Sequence, residues 1–427
     1  MSTFVYEQDG QKKTTSQSFY RGENTNFYPT PASLKVADAI DKYIIAGWKP
    51  TAPFLAKETP VVAFGSCFAT NISTYLHDRG YNVLTKKDNK AYVTKMGDGM
   101  VNTFAILQQF EWAWLNKVPE GDLWHGYKAE EFGYGEEVRL VTRQLFDEAE
   151  MFIITLGLSE IWYDEPTKEV FWRAVPKDKF DASRHKFRVS TFEETLRNIN
   201  AIYEIIRRFR PEAKIMFSVS PIPLTATFRS VSAIAANSVS KAIIRAAFDQ
   251  FYRDRSPNDS SLYYFPSYEA GSHVYRNQWG MDGRHVAQSV LHFNMAMFEH
   301  YFCTPGIPTE QLQQIYQQSL VIDERIGREG HLNQGKSYEE IRERTKQVKR
   351  QQRIDARIAE RAQARQQATE IRKANAEKIR QSQKIKQAAS FGWGTLSPLM
   401  SRIYLPLATA AAGFAANGLI GLSFFGD

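Results

Sequence analysis

Hydrophobic residues in this chain fall into short continuous runs, separated by stretches in which they recur every three or four positions. The runs are 60–64 (PVVAF), 81–84 (YNVL), 151–156 (MFIITL), 214–219 (KIMFSV) and 262–265 (LYYF). Runs this short, with little polar alternation, predict strands buried on both faces. Between them, 68–79 carries Phe68, Ile72, Tyr75 and Leu76 at helical spacing, and 102–116 carries Phe104, Leu107, Phe110 and Trp114. Further helices are predicted over 192–209, 238–253 and 286–302. Five strands alternating with five helices predict a parallel sheet in a three-layer α/β arrangement with right-handed crossovers.

The flanks read differently. Residues 1–54 are polar and turn-rich, with Asn24, Asn26, Pro29 and Pro31, and then suggest one helix over 34–45; they are expected to pack on a main domain spanning 55–305. Residues 306–335 form a connector with a helix over 308–320. The segment 336–387 is rich in Gln, Ala, Arg, Lys and Glu and has no Gly or Pro. A continuous helix there would be roughly 75 Å long at 1.5 Å per residue. Its isoleucines and Val348 keep no heptad register, so a solvated basic arm is favoured over a coiled coil. The tail, 388–427, holds one charge between 399 and 425, Arg402. That stretch is long enough to cross a bilayer, although Pro406, Asn417 and three glycines interrupt it. Membrane association and burial against a partner both remain open for it.

The net charge of +7 is unevenly placed. Residues 336–387 carry 16 Lys/Arg against 7 Asp/Glu, whereas 1–335 carry 37 against 39. The globular part is near neutral and has no bias toward nucleic acid; any polyanion partner belongs to the arm. Two cysteines, Cys67 and Cys303, make no disulfide framework. The first residues lack the apolar stretch of a secretory signal, so a cytoplasmic location is expected.

Candidate chemistry concentrates at two corners. Gly65-Ser66 follows the first core strand and opens a helix, the place where open parallel sheets bind ligands and where helix N–H groups favour an anion. Ser66 there reads either as a nucleophile or as a plain N-cap. Asp282-Gly283-Arg284-His285 opens the last helix, and the two intervening residues allow the carboxylate to reach His Nδ1, leaving Nε2 for Ser66. Cys67 is expected to point away and to pack. The other histidines show no metal-ligand spacing, and no phosphate-binding glycine pattern occurs, so no metal or other cofactor is expected.

Gly65-Ser66-Cys67-Phe68-Ala69 is the motif that names the GSCFA family, and the chain resembles that family, a group similar to SGNH/GDSL hydrolases. Further matches follow in order: Thr155-Leu156-Gly157-Leu158-Ser159-Glu160, Ser218-Val219-Ser220-Pro221, Asn237-Ser238-Val239-Ser240-Lys241, Phe265-Pro266-Ser267-Tyr268-Glu269, and 282–285. The resemblance covers roughly 55–305. It implies a flavodoxin-like SGNH fold with Ser66 as nucleophile, His285 as base and Asp282 as its orienter. For the oxyanion it implies the Ser66 N–H and a glycine N–H, Gly99 or alternatively Gly97. The third donor is normally an Asn, but the matching run Gly157 to Glu160 has Ser159 at that place; Asn102 is a spatial substitute. A missing donor costs about 10²–10³ in rate, which leaves room for acyl transfer beside hydrolysis. Asn237 and Glu269 are candidates for substrate contact, or for helix capping and loop fixing.

These readings predict an SGNH-type serine esterase or O-acyltransferase acting on acyl esters, with a glycan as substrate class and acyl-CoA as a matching donor. Trp162, Tyr163, Trp172 and Trp279 are available for sugar stacking or for the core. The alternative is an SGNH-fold binding or assembly protein that has lost the chemistry and docks a protein or membrane partner through 336–427.

Overall fold

Side chains alternate across each core strand, and both faces of the sheet are covered. The computed structural model describes residues 2–8, 11–17, 25–87, 90–96, 99–125 and 132–329, together with scattered positions between 347 and 383. An N-terminal hairpin, β1 (Ser2–Gln8) and β2 (Gln11–Gln17), precedes the core. Four parallel strands follow: β3 (Val61–Gly65), β4 (Met151–Leu156), β7 (Lys214–Val219) and β8 (Leu262–Phe265), in the order β3-β4-β7-β8. An antiparallel ribbon, β5 (Glu160–Asp164) with β6 (His185–Val189), leaves the end of β4.

Val62, Phe64, Phe152, Ile154, Ile215 and Phe217 face one layer, built by α3 (Thr103–Leu115), α4 (Glu136–Glu148), α5 (Phe192–Phe209) and α6 (Ala233–Arg255). Val61, Ala63, Met151, Ile153 and Met216 face the other, built by α1 (Cys67–His77), α8 (Gln288–Phe302) and α9 (Thr309–Glu329). Each fully buried large side chain contributes about 1.5–3 kcal/mol, so this two-sided burial fixes the strand register. Two short helices, α2 (Tyr92–Lys95) and α7 (Ser267–His273), lie in connections.

The architecture is the expected flavodoxin-like α/β/α arrangement, with one difference in the sheet. The run 81–84 is not a strand; only Val83 pairs, as a single parallel bridge to Val61, before a 3₁₀ turn over Leu84–Lys86. The Asn82 N–H turns away to the Lys57 carbonyl, which stops the ladder. Counting that bridge, the order is 2-1-3-4-5, the doubly wound order whose ligand crevice lies at the carboxyl ends beside β3 and β4. Residues 34–45 also differ, forming a 3₁₀ turn (Ser33–Lys35) and a π-type turn (Ile40–Ile44) in place of one helix.

Residues 1–338 and 339–427 are two separate compact units. In the second, every described position between 347 and 383 is helical and exposed, including Ile354, Ile358 and Ile379. That fits a solvated arm. The apolar tail lies outside the described residues. Among the described residues no helix is long and apolar enough to cross a membrane.

Candidate active site

The corner after β3 is fixed by a close approach. Gly65 has φ +131°, and a Cβ there would lie 2.3 Å from the Thr155 carbonyl oxygen of β4, so only glycine fits. The Ser66 N–H then donates to that same Thr155 oxygen at 3.1 Å. Ser66 is the N-cap of α1: its Oγ accepts the Phe68 N–H at 3.3 Å, and the residue is only 4% exposed. Cys67, the first helical residue, is half-buried.

The second corner is a tight turn closed by a Trp279–Val286 bridge, with Gly280 N–H to His285 O and Ala287 N–H to Gln278 O, both 2.7 Å. Gly283, at φ +65°, supplies the left-handed residue the turn needs. Asp282 Oδ1 accepts the Arg284 and His285 N–H groups at 3.1 and 2.9 Å, while Oδ2 bonds His285 Nδ1 at 2.5 Å. The carboxylate therefore orients the ring that it also polarises. Burial acts to raise the Asp282 pKa, but the bonds from the His285 ring and from the two N–H groups outweigh it and hold the carboxyl below its ordinary value.

Among the described residues the His285 ring bonds Asp282, and no hydrogen bond joins it to Ser66. The Cys67 side chain nearby is the leading cause that lifts the His285 pKa above the usual imidazole value, and the Asp282 bond and charge add to it against burial and Arg284. Lys241 of α6 is 1% exposed, with Nζ donating to the Gly157 carbonyl at 2.8 Å. Burial foremost, then the Arg284 charge, pulls its pKa down to about 7, while Cys67 pushes the other way.

Residues 60–298, more than half of the chain, match the model of the GSCFA family. The chain belongs to the GSCFA family. Comparison with curated proteins and with solved structures yields no significant match.

In this GSCFA protein the remaining candidates mostly brace the crevice. Gly99 lies beside Ser66 as an isolated bridge, but its N–H donates to Met96 O at 2.7 Å. Asn102 caps α3 through Oδ1 (Ala105 N–H, 2.8 Å), and its Nδ2 donates to Phe171 O and Trp172 O. The Gly157 N–H donates to Val101 O at 3.0 Å. The Ser159 N–H donates to Ser240 Oγ at 2.8 Å, while its own buried Oγ finds no partner among the described residues. Asn237 Oδ1 accepts the Leu224 N–H, and Glu269 accepts from Arg245 and Tyr264. Gly97 lies outside the described residues. Trp172 is fully buried and stacks on Trp124, and Trp162 packs with Phe180, Phe187 and Phe228, so these two belong to apolar clusters.

The GSCFA sequence gave one readable sign of Lys241. It lies with Ala236, Ser240, Ile244, Ala247, Phe248 and Phe251 on the buried stripe of α6, where a lysine is costly.

Proposed function

We propose that this GSCFA protein transfers acyl groups at esters, as an esterase or O-acyltransferase of the SGNH type. The observation that carries the reading is the Asp282–His285 pair, its carboxylate oriented by two backbone N–H groups and bonded to the ring at 2.5 Å. Ser66, the nucleophile of this reading, attacks the ester carbonyl carbon and passes its proton to His285. The imidazolium then protonates the leaving alkoxide, and the acyl-enzyme is released to water or to an acceptor hydroxyl. A glycan O-acetyl ester is the proposed substrate class, resting on the likeness to SGNH hydrolases, with acyl-CoA as the matching donor for the transfer direction.

The test is turnover of p-nitrophenyl acetate and of acetylated oligosaccharides by the full chain, beside His285→Gln. Turnover that falls by about 10²–10⁴ in the variant supports the reading. Equal rates in the two proteins, or none in the wild type with either substrate or with acetyl-CoA as donor, would sink it.

A second reading has its own observation: the Ser66, Gly99 and Gly157 N–H groups are all hydrogen-bonded within the protein. A binding or assembly protein needs no oxyanion donors. Removal of 339–427 discriminates, because an enzyme keeps its turnover whereas an assembly protein loses its partner.

A further inference from the structure

The turn that carries Asp282 and His285 is entered through residues 275–277, and these are gripped by α9. Ser319, Asp323 and Gly327 recur every four residues, so they form one stripe along that helix. Ser319 Oγ donates to Tyr316 O at 2.6 Å and is left to accept the Tyr275 hydroxyl at 2.7 Å. Asp323 Oδ1 accepts the Asn277 N–H at 2.7 Å, and Oδ2 accepts the Arg276 N–H at 3.3 Å. The Asn277 side chain returns the contact, donating through Nδ2 to the Asp323 carbonyl at 3.0 Å. Gly327 leaves it room, because a Cβ there would lie 2.7 Å from Nδ2.

Asp323 is only 7% exposed. A buried carboxylate is costly unless donors match it, and hydrogen bonds to a charged acceptor are the strong ones. Both of its oxygens are spent on consecutive backbone N–H groups just before the Trp279–Val286 bridge. From there the path to the site is short. Gln278 O accepts the Ala287 N–H and the Gly280 N–H donates to His285 O, both at 2.7 Å. The incoming leg of the turn therefore sets the place of the returning leg, on which His285 stands. Helix α9 is itself held: Tyr316 packs on Phe293 with ring centroids 4.8 Å apart, and its hydroxyl donates to Leu34 O at 2.7 Å.

We infer that Asp323 is a positioning residue for His285, fixing through 276–277 where the Asp282–His285 pair stands. The catalytic part of this role rests on the acyl-transfer reading, whereas the brace itself stands on the hydrogen bonds. The brace also comes from beyond residues 60–298, the stretch that matches the GSCFA family.

The test compares the full chain with Asp323→Ala, and with Asp323→Asn as a milder variant should the first fold poorly. Arg207→Ala, which cuts the bonds to Asp259 and Ala213 O at the amino ends of β7 and β8, controls for a general loss of stability. Amide hydrogen exchange, read by peptide mass spectrometry, needs no substrate. In Asp323→Ala the amides of 276 and 277 are expected to exchange at least about tenfold faster, and those of 280 and 287 with them. Arg207→Ala is expected to leave all four unchanged. Faster exchange confined to 276 and 277 overturns the inference. Steady-state turnover of p-nitrophenyl acetate then reads the positioning: kcat is expected to fall by roughly 10–10², with KM within about twofold. Unchanged kcat despite faster exchange at 280 and 287 overturns the positioning role. A wild type without turnover removes the acyl-transfer reading, and the exchange result alone then decides whether Asp323 holds the pair.

Discussion

Lys241 donates its Nζ to the Gly157 carbonyl at 2.8 Å from within the protein interior, so a side chain of α6 holds the loop that leaves β4. Its pKa of about 7 in the folded protein compares with about 10.4 in an unfolded chain. Between these values the unfolded state binds more protons, so stability rises with pH from about 7 toward 10 and is lost as pH falls back through 7. The slope is at most about 1.4 kcal/mol per pH unit. Chemical denaturation of wild type and Lys241→Met at pH 7 and pH 9 should show the gain in the wild type alone.

Asp282→Asn removes a charge that raises the His285 pKa while leaving an oxygen to accept the Arg284 and His285 N–H groups. His285 acts as base above its pKa, so lowering that pKa moves the acid limb of the kcat/KM profile to lower pH. The plateau is expected to fall by roughly 10²–10⁴. A limb that stays put, or moves up, contradicts this electrostatic account.

Gly65→Ala tests the corner itself. The added methyl would lie 2.3 Å from Thr155 O and 2.9 Å from Thr155 N, at a φ of +131°. Clash and backbone strain together are expected to exceed about 4 kcal/mol, enough to abolish cooperative unfolding in a thermal melt.

Ser66→Ala removes the cap of α1 and should lower stability by about 1 kcal/mol in a denaturant titration. With Ser66 as the nucleophile of the acyl-transfer reading, the variant is also expected to lose turnover of p-nitrophenyl acetate. Unchanged turnover in a variant that keeps its fold would leave Ser66 with the capping role alone.

The core strands were legible because both faces are covered. Met151–Leu156, Lys214–Val219 and Leu262–Phe265 occupy the predicted ranges, and α5 begins and ends where its spacing predicts. What escaped lies outside the two-sided core. β5 and β6 form a partly exposed ribbon, with β6 only half-buried throughout, so neither the continuous nor the alternating pattern marks them. Helix α4 carries Val138, Leu145 and Phe146 inward on an otherwise charged segment. At the site, the Asp282–His285 contact was readable because it spans a three-residue turn. The inward turn of Ser66 Oγ onto the Phe68 N–H was not. It depends on which side chain turns back to cap the helix, and spacing does not contain that torsion.

The two corners differ in how they are held. Gly65 is locked against Thr155, and Thr155 Oγ1 bonds Ser218 Oγ on the next strand at 3.0 Å, so three strands brace the start of α1. His285 rides on a surface turn, with 43% of its side chain exposed. One partner is anchored as firmly as the sheet, and the other can adjust. Sequence change or warming that alters the 278–287 turn will therefore shift His285 while the start of α1 keeps its place.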